Sequence, residues 1–315
     1  MLKHILLAKP RGFCAGVERA IDIVERVLEK HGAPIYVKHE IVHNRHVVED
    51  FQRRGVIFVE DPNDAPHNAV LIYSAHGVSL AVRTAATACQ HQIYDATCPL
   101  VLKVHSQVRR LREEGHEIIM LGHRGHPEVE GTLGQAKDGM YLVESEEDIR
   151  TLQPRHPDKL AFVTQTTLSV DDTAALVELL RAKFPSIRAP RRDDICYATQ
   201  NRQDAVKKLA ARCDVVLVVG SQTSSNSNRL REVAEQVGTR AYLADSAAEI
   251  SPAWLRGVTT AGITAGASAA DSLVNELVNW LRDNFGSDCT VAEMDGVEEN
   301  VVFVAPKSLR REAQT

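Results

Sequence analysis

The 315-residue chain has no GxxxxGK[ST] loop, no GxGxxG turn after its first apolar run and no GxSxG elbow. These absences remove the usual cradle of a nucleoside triphosphate, the dinucleotide fingerprint and the nucleophile turn of α/β hydrolases. Without a flavin or nicotinamide signature, any electrons the chain uses are expected from a partner protein. No apolar run approaches the roughly 18 residues that cross a bilayer. The opening "MLKHILLAKP" is interrupted by Lys9 and Pro10 too soon for a signal peptide. The expectation is a cytoplasmic protein with no membrane association, in a compartment that keeps thiols reduced. Aromatic residues make up only 5 %, and 37 basic side chains against 42 acidic ones leave a net charge of −5. With neither a basic field nor a stacking platform, nucleic acid is not an expected partner, and Arg109, Arg110, Arg112, Arg191 and Arg192 read as solvated faces.

What is present is the ordinary composition of a folded protein, with 44 % hydrophobic and 25 % charged residues. Short Val/Ile/Leu runs alternate with helical stretches of ten to fifteen residues. "HILLA", "VLIYS", "QIYD", "EIIML", "LAFVT", "DVVLVV" and "VTTAGITA" are read as strands. That alternation predicts an α/β chain of βαβ units with mainly parallel sheets, and the unbroken apolar strands predict helices on both faces. Proline and charge mark breaks near 60–68, 154–159 and 189–194. The stretch "MDGVEENVVFVAP" reads as a closing hairpin or edge strand, and "KSLRREAQT" as a frayed tail.

Six cysteines without CxxC spacing are not a disulfide framework. Cys14 in "GFCAG", Cys98 in "DATCP" and Cys196 in "DDICYAT" each precede a long helix, 84 and 98 residues apart. They are expected at strand-to-helix transitions, where unpaired N–H groups and the helix dipole favour a thiolate. Three similar αβ modules around a pseudo-threefold axis would bring the three thiols to one centre. The division predicted is 14–97, 98–194 and 195–284, with 1–13 and 285–315 packing on the third module. Cys89, Cys213 and Cys289 read as core thiols. Three thiolates suit zinc with an open position or an iron–sulfur cluster with one free iron, and spacing alone does not separate the two.

A second set of residues lies in small polar loops after the strands. His43, His76 and His126 are joined by Glu128, Thr166, Thr167, Ser224, Ser225, Asn226 and Ser268. Ligands of parallel α/β sheets bind at the carboxyl ends of strands, and hydroxyls, amides and helix N-termini make anion sites to which histidines can add charge. A compact polyanion such as a diphosphate fits this inventory. The simplest reading of Ser268 alone is a helix cap, and that of Glu128 is compensation of a helix dipole behind Pro127. The run "SSNSN" exceeds what capping needs.

The motifs "RGFCAGV", "HEIVHNRHVV", "YSAHGVS", "DATCPLV", "GHRGHPEVEGT", "TQTTLSVDDT", "ICYATQNRQ", "VVGSQTSSNSNRL" and "TAGAS" resemble the IspH/LytB family of 4-hydroxy-3-methylbut-2-enyl diphosphate reductases, in order from about residue 4 to residue 304. The resemblance implies a trefoil of three αβ modules around a central [4Fe–4S] cluster held by Cys14, Cys98 and Cys196, its fourth iron open. It implies reductive removal of an allylic hydroxyl with two electrons and two protons. The products are isopentenyl and dimethylallyl diphosphate, at the end of the methylerythritol phosphate route. It assigns His43, His76, His126, Ser224, Asn226 and Ser268 to the diphosphate, with Ser225 in the same loop. Glu128 becomes the proton donor and Thr166 the holder of the substrate hydroxyl. A ferredoxin or flavodoxin, with its reductase, is the implied electron donor. Two rival readings are a Cys₃ zinc hydrolase of a phosphorylated substrate and an iron–sulfur sensor without turnover.

Overall fold

The computed structural model describes residues 2–309. Among these described residues, twelve short strands fall into three all-parallel sheets. The first has the order β3–β2–β4–β5, built from β2 (Ile35–Lys38), β3 (Val56–Val59), β4 (Val70–Tyr73) and β5 (Gln92–Asp95). The second has the order β7–β6–β8, from β6 (Glu117–Leu121), β7 (Met140–Val143) and β8 (Leu160–Thr164). The third has the order β10–β9–β11–β1–β12. It joins β9 (Val215–Val219), β10 (Arg240–Ala244) and β11 (Thr260–Ala265) to β1 (His4–Leu7) and β12 (Thr290–Glu293). Every residue of β6, β8 and β9 is buried. Helices covering both sheet faces explain why these strands carry no polar alternation. The expected α/β class with parallel sheets is therefore what the chain adopts.

The helices are α1 (Ala15–His31), α2 (Arg45–Arg53), α3 (Leu80–Ala88), α4 (Pro99–Glu113), α5 (Pro127–Leu133), α6 (Glu146–Thr151), α7 (Val170–Lys183), α8 (Tyr197–Ala210), α9 (Ser225–Gln236) and α10 (Asp271–Phe285). In α1 the residues Val17, Ala20, Ile23, Val24 and Val27 face the first sheet, the spacing of one helix side. Gly32 ends that helix with φ +71°, a conformation an L side chain resists.

Two local expectations fail. Cys196 does not follow a strand: between α7 and α8 the chain is irregular, and Arg188 makes only an isolated bridge to Ala161. One paired residue is too little to extend a sheet. Residues 294–306 also form no strand, and the edge strand is the preceding β12, exposed throughout. Instead this segment crosses to the first sheet, where Ala305 and Leu309 are buried beside α1. The start of the expected frayed tail is thus docked, and residues 310–315 lie outside the described residues.

Candidate active site

Cys14, Cys98 and Cys196 are the N-cap residues of α1, α4 and α8, and all three line one cavity. Pro99 occupies the first turn after Cys98, where a missing N–H leaves no bond unmade. The Cys196 thiol takes the capping role itself, accepting from the Thr199 N–H at 3.4 Å. Backbone bonds fix the two other partners of the Cys14 and Cys196 segments: Cys14 N–H donates to the Ala267 carbonyl and Cys196 N–H to the Thr166 carbonyl. Gly16 is required by crowding, because a Cβ there would lie 2.7 Å from Cys98 Sγ and 3.7 Å from Cys14 Sγ.

For Cys98 and Cys196 the expected thiolate stabilisation is reversed. Burial, reinforced by the neighbouring Cys14, pushes the Cys98 thiol up to about 12 and Cys196 up to about 11. The helix N-termini oppose this and lose, since desolvation of a buried anion outweighs a partial charge. Three thiols in one pocket, whose anions would repel one another, are a donor set that a cationic centre would satisfy.

Glu128 lies in the first turn of α5 behind Pro127, as dipole compensation would require, yet its carboxyl group points inward and is only 4 % exposed. Thr166 holds it twice: the backbone N–H donates to Oε1 at 2.6 Å and the hydroxyl to Oε2 at 2.9 Å. Burial raises this carboxyl to about 7 despite both donors, with Asp194 adding a smaller push in the same direction. A carboxyl poised near neutrality inside a cavity has the protonation behaviour of a general acid.

The remaining predicted residues line the same cavity. The imidazoles of His43 and His76 are 4.1 Å apart, and His126 stands 5.3 Å from His43. Burial, then repulsion from neighbouring rings, holds His76 well below the ordinary histidine range and brings His126 down to about 3. The free cradle is therefore less cationic than the sequence suggests, because the rings desolvate one another. Each serine of "SSNSN" has separate work. Ser224 caps α9, Ser225 accepts from Thr167 Oγ1 at 3.1 Å, and Ser227 donates to Ser224 at 3.0 Å. Ser268 is not a cap. Its hydroxyl donates to the His43 carbonyl at 2.9 Å, and Ala270 is the N-cap of α10.

Both polar atoms of the Asn226 side chain, and Nε2 of His43, are buried without a protein partner. A lone unpaired polar atom in the interior costs about 1–3 kcal/mol. Three of them on one cavity mark a place built for a hydrogen-bonding ligand. Gln165 supports the rim from below, accepting from the His123 N–H at 3.0 Å and donating to Thr167 at 3.1 Å.

Sequence reading missed His39, Asn44 and Arg202. His39 is packed edge-on against His43 and His76 and pairs with Glu60 at 2.8 Å. His39, Glu40 and His43 spell HExxH, but they lie in the loop between β2 and α2 rather than on a helix, so the zinc-protease geometry does not arise. Their ligand atoms nevertheless come within 4.8 Å of one another, the one such trio of His, Cys, Asp or Glu among the described residues. The three cysteine sulfurs do not all meet that limit. Asn44 ties its loop to the Ser268 carbonyl. Only its place beside His43 could have pointed to it.

A family model described as LytB protein matches residues 5–282. A 4-hydroxy-3-methylbut-2-enyl diphosphate reductase of Bordetella pertussis is 62 % identical over 313 residues, covering 99 % of this chain and 96 % of that protein. One of the same name from Methylococcus capsulatus is 56 % identical, covering 98 % of this chain and 99 % of that one. The structure of the E-1-hydroxy-2-methyl-but-2-enyl-4-diphosphate reductase from Plasmodium falciparum superposes with a TM-score of 0.95 at 40 % identity, covering 98 % and 97 % of the two chains. A second solved reductase, described as the terminal enzyme of the non-mevalonate pathway, gives 0.62 at 31 % identity over 90 % of this chain and all of that one. With the family model spanning most of its length and full-length relatives near 60 % identity, the chain belongs to the LytB family.

Proposed function

We propose that this chain reduces (E)-4-hydroxy-3-methylbut-2-enyl diphosphate to isopentenyl and dimethylallyl diphosphate, the last step of the methylerythritol phosphate route. It does so with an iron–sulfur centre held by Cys14, Cys98 and Cys196. The observation that carries the reading is the convergence in one cavity of three helix-capping thiols, a buried carboxyl near pKa 7 and a cradle of unpaired polar atoms. A single zinc ion bonded at about 2.3 Å would draw three sulfurs to within about 4 Å of one another. The three sulfurs do not all lie within 4.8 Å of one another, which suits a polynuclear cluster better than one zinc ion. A [4Fe–4S] cluster with one iron open supplies electrons and a Lewis-acid position for the substrate oxygen.

The protein's own residues do the rest. His43, His76, His126, Ser224, Ser225, Asn226 and Ser268 take the diphosphate, whose charge favours protonating His76 and His126 against the burial that lowers them. The Thr166 hydroxyl, already directed at Glu128, lies where it can hold the substrate hydroxyl and pass it the carboxyl proton. The C–O bond then breaks with that oxygen leaving as water. Two electrons and a second proton, delivered to carbon, complete the balance, and the bound diphosphate is the nearest donor for that proton. A ferredoxin or flavodoxin with its reductase supplies the electrons, and nucleic acid has no part. On this reading the chain divides at its cysteines into units 14–97, 98–194 and 195–284, with both termini joining the third. The distribution of strands among the three sheets supports that division. Among the described residues no helix is long and apolar enough to cross a membrane, in keeping with a cytoplasmic enzyme.

The test is iron and sulfide analysis with Mössbauer spectra of anaerobically purified protein, with and without the hydroxylated diphosphate. About four irons per chain with one signal shifted by substrate supports the reading. Stoichiometric zinc, or a cluster indifferent to substrate, contradicts it.

A further inference from the structure

Arg202, on α8, is the largest fully buried side chain among the described residues, and none of the chemistry above uses it. Its guanidinium reaches out of its own helix. Nε and Nη2 donate to the Gly12 carbonyl at 3.2 and 2.8 Å, and Nη2 also to the Phe13 carbonyl at 3.4 Å. Nη1 donates to the Ala198 carbonyl at 3.0 Å and to both carboxylate oxygens of Glu299 at 3.0 and 3.1 Å. Asn201 adds a third bond to Glu299 at 2.9 Å. A buried guanidinium is tolerated when every donor is paired, and here the last partner comes from the C-terminal segment.

That segment has no regular structure between β12 and residue 306, yet it is tied along its length. Gly296 packs so closely on the Lys9 carbonyl that a Cβ would lie 1.9 Å from that oxygen. Arg19 donates to the Val304 carbonyl at 3.1 Å, and Ala305 is buried in the core beside α1. One strap thus runs over the loop that carries Cys14, and its Glu299 pairs with the buried guanidinium on the helix that carries Cys196.

We infer that Arg202 and Glu299 form a clasp that holds the Cys14 loop and the Cys196 helix in fixed register under the strap, which makes both positioning residues for the three-thiolate centre. This rests on the cluster reading above. Arg202 sets the register by bridging the carbonyls just before Cys14 to the first turn after Cys196. Glu299 neutralises the guanidinium and locks the strap over it.

The test compares Glu299→Ala and Glu299→Gln with the parent protein, and with Val302→Ala as a control at an exposed strap position. Hydrogen exchange is followed at residues 9–14 and 294–306, together with the spectrum of the cluster and its bleaching in air. In Glu299→Ala, exchange should rise roughly tenfold at both segments, the factor carried by one charge-assisted hydrogen bond. The electron paramagnetic resonance signal of the cluster should change and bleaching should quicken by a similar factor. Glu299→Gln, which keeps one acceptor, should recover much of this, and Val302→Ala should match the parent. Faster exchange in the strap with none at residues 9–14 would overturn the clasp, as would an unchanged spectrum and bleaching rate. Parent protein without a cluster would refute the proposed cofactor, and the exchange at residues 9–14 would still decide the clasp.

Discussion

Thr166 gives both of its donors to Glu128, the backbone N–H at 2.6 Å and the hydroxyl at 2.9 Å, across the gap between β8 and α5. Two donors favour the ionised carboxylate, while burial favours the acid, and burial prevails with a pKa of about 7. The pair therefore holds a transferable proton at neutral pH, on a group whose position is fixed from both oxygens.

Glu128→Gln keeps the shape and can still accept from the Thr166 N–H, but has no proton to give. Turnover should fall by about 10²–10⁴, the usual contribution of a positioned acid, with iron content and diphosphate binding retained. In the parent protein, kcat should fall as pH rises through about 7, where Glu128 ionises. A pH–rate profile of both proteins checks this.

The same pair has a stability consequence of definite sign. The Glu128 pKa is raised from 4.5 in the unfolded chain to about 7 in the fold. The stability linked to its proton is fully present below pH 4.5 and is lost as pH rises through 7. The shift corresponds to about 3 kcal/mol. Glu128→Gln removes this dependence, so at pH 8 it should melt above the parent protein although it has lost activity. Melting curves across pH 4–8 test the prediction.

Thr166→Val removes the hydroxyl and leaves the backbone donor. The carboxylate loses a stabilising bond, so the falling limb of the pH–rate profile should move up by roughly one unit. The maximal rate should drop because nothing then bridges substrate and acid.

Gly16→Ala separates folding from cluster loading. Alanine suits a helix better than glycine by up to about 1 kcal/mol, so the fold should persist. The added methyl would stand 2.7 Å from Cys98 Sγ, and iron content should fall severalfold. Iron and sulfide analysis beside a melting curve reads both effects.

Asn226→Leu exchanges two unpaired buried atoms for an apolar group of similar size. The free protein should gain about 1–2 kcal/mol. Added inorganic diphosphate should raise its melting temperature far less than the parent's, and KM for the substrate should rise.

Much of this is legible in the sequence. Cys14, Cys98 and Cys196 announce themselves because a thiol between a small-residue loop and a long helix has few structural uses. "SSNSN" does so because five polar residues exceed one cap. Unbroken apolar runs place β6, β8 and β9 correctly because strands buried on both faces need no polar alternation. What stayed hidden depends on contacts distant in sequence. Arg202 and Glu299 are 97 residues apart and look like two surface charges until the fold buries the guanidinium against the carboxylate. The inward turn of Glu128 and the low pKa of His126 are likewise products of desolvation, which no local pattern encodes. The segment at 294–306 carries strand-forming valines, yet it joins none of the three sheets, and Val302 and Val304 remain exposed.

The most direct measurement is a single-turnover assay of the anaerobically purified, prereduced protein with (E)-4-hydroxy-3-methylbut-2-enyl diphosphate, its products separated and identified. The account predicts isopentenyl and dimethylallyl diphosphate with water as the only other product, and their loss in Glu128→Gln. Release of inorganic phosphate with the hydroxyl intact, or full turnover in that variant, would contradict it.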